Sequence, residues 1–151
     1  MAFDAFLKIG DIKGESLDDK HKDWIEVLSF SAGITRRNGG GRPHIEDFKI
    51  VKQVDSASPL IFDAACGGDS VGPATFVARK AGKGQQEFLI VKMNDVIITS
   101  VQHTGAGTDP APLEQITLDF RSLEMEVTPQ NADGTAGKPV TTTCSSHRRI
   151  E

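Results

Sequence analysis

The amino-acid sequence predicts a mainly β protein, either a sandwich or a barrel, with one short α-helix. Short segments in which apolar and polar residues alternate recur along the chain, and turn residues separate them. One segment has the start and stop signals of a helix. The length of 151 residues corresponds to one domain, and 38% hydrophobic with 25% charged residues is usual for a globular protein.

Seven segments have the strand pattern. In chain order they are residues 3–9, 25–32, 48–54, 74–80, 86–93, 96–101 and 116–127. Residues 81–84 and 94–95 have the length of hairpin turns, so the strands on either side of each turn are predicted to pair with each other.

Residues 25–32 show the clearest alternation in the chain. Its two faces carry Glu26, Leu28, Phe30 and Ala32 on one side, and Ile25, Val27, Ser29 and Ser31 on the other. Leu28 and Phe30 form a large apolar pair, so the first face is predicted to be turned toward the core. Ser29 and Ser31 are then predicted to point outward, onto the surface that this sheet presents.

The predicted helix begins at residues 58 and 59. Ser58 suits the N-cap, and Pro59 suits the first helical position because its missing N–H would be unpaired there. Apolar residues follow at helical spacing, and Gly67-Gly68 supplies a glycine end. A single short helix on a β body is expected to close a barrel end or to cover a sheet edge.

Two segments lack a regular pattern. Residues 33–45 form a long, basic, glycine-rich connection, and long connections in compact domains tend to be functional or mobile. Residues 130–151 are rich in Gly, Thr and Ser, and we expect them to be loosely ordered or packed only at a partner surface.

The charge pattern limits the partners. A net charge of −4 argues against nucleic-acid binding, and mixed-charge runs such as residues 20–23 are predicted to be solvated surface. No stretch approaches the ~18 apolar residues of a membrane span, so membrane insertion is not expected. Without a visible signal peptide, we expect a protein that is made in the cytoplasm and stays there unless dedicated machinery exports it.

The residues that carry chemistry do not form a recognisable site. The four histidines, at 21, 44, 103 and 147, show no shared ligand spacing, and Cys144 with His147 is half of a zinc site without a second half. The glycine runs lack the features of a phosphate loop, and no Gly-x-Ser-x-Gly motif occurs. We therefore predict no catalytic residue, metal or cofactor. Cys66 is expected to be a small buried hydrophobe, and Cys144 to be a free thiol.

Several strings, in their order along the chain, resemble the haemolysin-coregulated protein (Hcp) family, the tube subunit of the type VI secretion system. They are residues 2–16 (AFDAFLKIGDIKGES), 25–31 (IEVLSFS), 55–60 (DSASPL), 79–89, 114–120 (EQITLDF) and 129–134 (PQNADG). The similarity covers residues 2–135. It divides the chain into an Hcp-like β-barrel domain, residues 1–135, and a polar C-terminal tail, residues 136–151.

The resemblance implies a small β-barrel of two sheets with one short helix. It implies hexameric rings that stack into a tube, carry effectors in the channel and meet the spike and sheath of the machine. Such a protein is cytoplasmic before assembly and is then secreted without a signal peptide. By the same resemblance, Ser29 and Ser31 line the channel, and the loop with Arg36, Arg37, Gly39, Gly40, Gly41 and Arg42 contacts a neighbouring subunit or ring.

Two other classes of function stay open at this point. A monomeric β-barrel that binds a small ligand would need an apolar cavity, and only 6% of the residues are aromatic. A hydrolase would need a reactive cluster, which the sequence does not reveal. A ring-sized species would favour the tube subunit, whereas ligand-dependent stabilisation of a monomer would favour the binding protein.

Overall fold

The computed structural model describes residues 3–36, 38, 43–80 and 86–145. These residues contain one helix, α1 (Ser58–Gly67), and eleven strands. The strands are β1 (Phe3–Ile9), β2 (Ile25–Val27), β3 (Ser29–Ser31), β4 (Ile34–Thr35), β5 (His44–Ile45), β6 (Phe48–Gln53), β7 (Gly72–Lys80), β8 (Glu87–Thr104), β9 (Leu113–Asp119), β10 (Ser122–Val127) and β11 (Val140–Ser145). The prediction of a mainly β fold with one short helix is confirmed.

Two sheets share the long strand β8. The first half of β8 pairs with β7 on one side and with β10 on the other, and its second half pairs with β9. One sheet therefore has the order β2-β1-β7-β8-β10-β11, and the other has the order β8-β9-β6-β3, with antiparallel pairing throughout. Among the described strands, hydrogen bonds do not join β2 to β3, so the sheets are not closed into a barrel by pairing.

The predicted hairpin turn at residues 94–95 is wrong, because β8 runs through it as a strand of 18 residues. Asp95 has a φ of 53° in the left-handed region, which bends the strand where it passes from one sheet to the other. The predicted strand 116–127 is split opposite this bend into β9 and β10, and the N–H of Arg121 donates to the carbonyl of Asn94 at 3.0 Å. The bend in β8 and the break between β9 and β10 thus lie next to each other.

The predicted continuous alternation over residues 25–32 is also wrong, because the chain changes sheets at Leu28. Before it, β2 pairs with β1 and buries Ile25 and Val27; after it, β3 pairs with β6 and turns Phe30 inward. Leu28, predicted to face the core, is 56% exposed. A sheet change resets which face is inward, so the alternation on one side of Leu28 does not continue on the other.

The core lies between the two sheets. Phe30 packs against Phe48 and Phe76, with ring centroids 6.0 and 4.6 Å away, and both partners are fully buried. Aliphatic side chains from both sheets fill the remaining space, among them Leu7, Ile9, Ile50, Met93, Ile98, Ile116 and Leu118. Burial of each large side chain stabilises the fold by about 1.5–3 kcal/mol.

The helix ends where predicted, but its beginning differs. Gly68 has a φ of 76°, and its N–H donates to the carbonyl of Ala64 at 3.0 Å, as a glycine end should. The N-cap is Ala57 rather than the predicted Ser58, whose side chain is buried and bonds elsewhere. Ile61 anchors the helix in the core, while Cys66 is exposed, contrary to prediction, because it lies off this packed face.

Residues 140–145 are not loosely ordered, contrary to expectation for the segment 130–151. They form β11, which pairs with β10 along all six residues, from Val127 opposite Val140 to Ser122 opposite Ser145. β10 would otherwise present an unpaired edge, and β11 satisfies its backbone groups. Cys144 lies in this strand, half-buried and free of any disulfide, as predicted.

Candidate functional site

The second sheet has a polar outer surface, here called the polar face. Its members come from β3, β6, β9 and the second half of β8, and strand pairing sets them side by side: Ser29, Ser31, Lys49, Val51, Gln115, Thr117, Ser100 and Gln102. Among these eight, Lys49 is the charged residue and Val51 the aliphatic one, and the two ends of β9 add Leu113 and Asp119 to the same side of the sheet. The opposite side of the same strands packs in the core, because side chains alternate across a sheet.

Ser29 and Ser31 are exposed on this polar face, as the alternation predicts. Ser31 lies opposite Lys49, and Ser29 lies opposite Val51. The centre of the face offers mainly neutral hydrogen-bonding groups.

The basic connection is partly built as a hairpin. Ile34 pairs with Ile45 and Thr35 with His44, so β4 and β5 form short arms that the sequence did not reveal. Arg36 follows β4 and is exposed. The other predicted inter-subunit residues, Arg37, Gly39, Gly40, Gly41 and Arg42, lie outside the described residues.

An apolar hollow of about 230 Å³ lies beside this hairpin. Ile34 and Ile45 line one side of it, and Leu123, Met125 and Cys144 line the other. The base of the hairpin therefore lies near β10 and β11, at one edge of the first sheet.

A buried ion pair holds the start of the helix on the second sheet. Lys52 and Glu114 are both fully buried, with Nζ of the lysine 2.6 Å from Oε1 of the glutamate. The Lys52 ammonium also donates to Asp55 Oδ1 at 2.7 Å and to Ser58 Oγ at 3.2 Å. The Ser58 hydroxyl in turn donates to Glu114 Oε1 at 2.8 Å. Each charge is thus compensated, as buried charges must be.

Glu114 has a further partner at the surface. His103 Nε2 lies 2.9 Å from its Oε2, and the His103 ring contacts the ring of Phe62 on α1 at 5.7 Å. Burial opposes ionisation of this carboxyl, but hydrogen bonds from Lys52, His103 and Ser58, together with the lysine charge, hold the pKa of Glu114 below its ordinary value. The sequence carried one sign of this cluster: Lys52 follows Phe48 and Ile50 at the inward positions of a strand.

A second cluster surrounds His21, which was predicted to lie in a solvated run but is 2% exposed. Its Nδ1 is 2.7 Å from Asp18 Oδ2, and its Nε2 is 2.8 Å from Glu87 Oε1. The ring also stacks on Phe6, with centroids 4.5 Å apart. These contacts fasten the irregular segment between β1 and β2 to the first sheet, and sequence spacing cannot show a pair 66 positions apart.

Arg79 closes this second cluster. Its Nη1 lies 2.7 Å from Asp18 Oδ1, its Nε lies 3.5 Å from Asp4 Oδ2, and its guanidinium carbon stands 4.9 Å above the Phe6 ring. Desolvation opposes the charge of Asp18, but the His21 hydrogen bond and the charge of Arg79 hold the pKa of Asp18 below its ordinary value.

Neither cluster has the form of a metal centre. Within the part of the chain that the structure describes, no three His, Cys, Asp or Glu side chains are placed to hold a metal ion together. No helix among the described residues is long and apolar enough to cross a membrane.

Comparison with known proteins gives concordant results. A family model described as "Type VI secretion system effector, Hcp" matches residues 6–127. The protein hcp1 of Pseudomonas aeruginosa is 35% identical over 150 residues, which cover 93% of each chain. A solved structure of a type six secretion system protein has a TM-score of 0.89 at 30% identity, covering 95% of this chain and 96% of that one. Hcp1 from Salmonella typhimurium has a TM-score of 0.83 at 33% identity, covering 96% and 95%.

The fold and these matches define a structural protein of a secretion machine. The chain belongs to the Hcp family of the type VI secretion system.

Proposed function

We propose that the chain is the tube-forming, secreted subunit of a type VI secretion system. Six copies close into a ring, rings stack into a tube, and effectors travel in the channel. Spike and sheath components are its further partners in the machine. Membership of the Hcp family supports this role.

The observation that carries the proposal is the polar face. A sheet whose inner side fills the core and whose outer side is mainly polar at its centre suits the wall of a wet channel. In this role Ser29 and Ser31 line the channel. Apolar residues there would bind unfolded or hydrophobic cargo, and many charges would select cargo by the sign of its net charge.

The remaining parts fit the same assembly. The loop with Arg36, Arg37, Gly39, Gly40, Gly41 and Arg42 is the contact to the next copy. In this proposal the two sheets and α1 of one copy form a small β-barrel, and the link of a single residue, Leu28, between β2 and β3 at opposite ends of the strand order supports it. Residues 1–135 form its body and residues 136–151 form the tail, of which β11 lies against the body.

The proposed role is non-enzymatic. The protein is cytoplasmic before assembly and is exported by the machine itself. It needs no cofactor, since ring formation and passive carriage involve no bond chemistry.

Assembly is the first test. Size-exclusion chromatography and negative-stain imaging of the purified chain should show a ring of six copies with an open centre. A strictly monomeric profile at high concentration would remove the proposal.

The channel role of Ser31 has its own test. Ser31→Gln adds bulk to the polar face without touching the core, so effector retention should fall while the ring and its stability stay unchanged. Ser56→Gln, at an exposed position outside the polar face, is the matched control. Equal effector levels in the Ser31→Gln and parent strains would exclude a role for this residue.

The alternative of a monomeric ligand-binding barrel is less well supported. The hollow beside the β4–β5 hairpin is apolar, but its volume of about 230 Å³ is below the roughly 300–1,000 Å³ of usual small-molecule sites. Thermal stabilisation of a monomer by a small apolar compound would favour this alternative.

A further inference from the structure

The edge of the first sheet opposite the hairpin carries a surface with unusual chemistry, here called the acidic groove. It is a hollow of about 490 Å³ along β1 and β2, and it includes Asp4, Asp18, Glu26 and Leu28. A second hollow, of about 130 Å³, shares Glu26 and Leu28 and adds Glu15. The two hollows therefore form one continuous surface around Leu28.

The groove exposes two large apolar side chains, and their exposure to water does not stabilise a monomer. Leu28 is 56% exposed and Phe3, which lines the same larger hollow, is 42% exposed. Exposed apolar residues in a groove rimmed by polar residues are typical of a docking surface. Leu28 is held there by its own backbone, because its N–H donates to the carbonyl of Val51 at 2.8 Å where the chain changes sheets.

The charge around these apolar residues is negative. Glu26 has no ion pair among the described residues, and Asp4 is half exposed. Arg79 is the single cation of the larger hollow, and Asp18 and Asp4 already face it. The larger hollow therefore has three carboxylates and one cation, so its net charge is negative.

One segment of the same chain complements this groove. Residues 33–45 carry three arginines and no carboxylate, and three consecutive glycines let the backbone of this segment approach a surface closely. The hairpin that starts this segment lies beside β10 and β11, whereas the groove lies on β1 and β2. These are opposite edges of one sheet in the order β2-β1-β7-β8-β10-β11, so a docked loop comes from another copy.

We propose that the acidic groove is the receptor for the arginine- and glycine-rich loop, residues 36–42, of a neighbouring copy. Leu28 and Phe3 exclude water, and Glu26 and Asp4 pair with the arginines. The contact is head-to-tail, because each copy has the β4–β5 hairpin, which the loop connects, at one edge and the groove at the other. Head-to-tail contacts close into rings when the rotation allows it. The inference rests on the proposed function, to which it adds the acceptor surface.

A charge-reversal experiment tests this pairing. The groove variant is Glu26→Lys, and the loop variant is Arg36→Glu with Arg37→Glu and Arg42→Glu. Each alone brings like charges together at position 26 in every contact between copies, so the concentration needed for ring formation should rise at least tenfold. In an equimolar mixture, each variant's loop meets the other's groove with opposite charge, so rings with alternating copies should return. The two changes combined in one chain should likewise restore rings.

Two controls make the outcome specific. Asp69→Lys makes the same charge change at an exposed position outside the groove and should leave assembly unchanged. Arg148→Glu with Arg149→Glu reverses the other basic segment of the chain, and it should not restore rings when mixed with the groove variant.

The outcomes separate the inference from the proposed function. If the parent chain forms no ring, the proposed function fails. If the parent forms rings and Glu26→Lys assembles equally well, the groove is not the receptor, although the tube role stands. The pairing is also overturned if both variants lose their rings and the mixture does not recover them, or if the tail variant recovers them instead.

Discussion

Replacing Lys52 by methionine should destabilise the protein more than any other single change of a lysine in β6. Methionine fills nearly the same volume, so the core stays packed. The substitution removes the ammonium that lies 2.6 Å from Glu114 Oε1 and 2.7 Å from Asp55 Oδ1. Glu114 then remains fully buried, with hydrogen bonds from Ser58 and His103 as its compensation.

The expected size follows from the burial of both partners. Removing one member of a buried ion pair costs about 3–5 kcal/mol, because the other charge is left without its counter-ion. Each kcal/mol lowers the melting temperature of a chain of this size by about 2–4 °C, so a loss of about 6–20 °C is expected. Asp55 is less affected, since it is partly exposed to water.

Urea unfolding followed by circular dichroism measures this effect. Parent and variant are compared at the same protein concentration, because assembly itself adds to the apparent stability. Lys49→Met is the matched control: it lies on the same strand, but it is exposed, and it should change the free energy of unfolding by less than about 0.5 kcal/mol. Adding Glu114→Gln to Lys52→Met should recover part of the loss, since no buried charge then remains in the pair.

The reasoning would be refuted if the free energy of unfolding of Lys52→Met lay within about 1 kcal/mol of the parent value. Such a result would mean that Glu114 is not ionised in the fold or that water reaches it. A double variant no more stable than Lys52→Met alone would contradict the explanation in the same way.

Three further predictions follow from the same contacts. Folding lowers the pKa values of Glu114 and Asp18, so the stability that these carboxylates contribute is present above their ordinary pKa and is lost as the pH falls through the lower folded values. The urea midpoint should therefore decrease in this acid range, and an unchanged midpoint would contradict the assignment. His21→Phe retains a ring against Phe6 but removes both ring nitrogens and their contacts with Asp18 and Glu87. It should cost about 2 kcal/mol in urea unfolding, whereas a neutral result would mean that these contacts contribute nothing. The exposed thiol of Cys66 should react with a thiol reagent faster than the half-buried thiol of Cys144, and the reverse order of rates would contradict the placement of the helix.

Local sequence signals correctly predicted the helix and strands whose formation depends on neighbouring residues in the chain. The glycine end of α1 and the strand pattern of β1 and β6 depend on nearby residues, and the structure confirms them. Signals failed where two sheets meet. Leu28 continues an alternation that the sheet change interrupts, and Asn94-Asp95 looks like a turn although it only bends β8.

The candidate surfaces divide in the same way. The outward direction of Ser29 and Ser31 followed from their neighbours in sequence, and the resemblance of several strings to the Hcp family indicated the class of protein. The acidic groove did not follow, because its members come from β1, β2, β7 and the segment between β1 and β2. The clusters around Lys52 and His21 likewise join residues up to 66 positions apart.

The sequence by itself determined the mainly β class, the single helix, the polar character of one sheet face and the family. These depend on periodicity, on backbone preferences and on short strings, all of which act within a few residues. Only the tertiary structure decided that Leu28 is exposed to water and which charged side chains are buried. It also decided that the β4–β5 hairpin and the acidic groove lie at opposite edges of one sheet. Such relations arise from packing distant strands against each other, and a pattern read along the chain does not contain them.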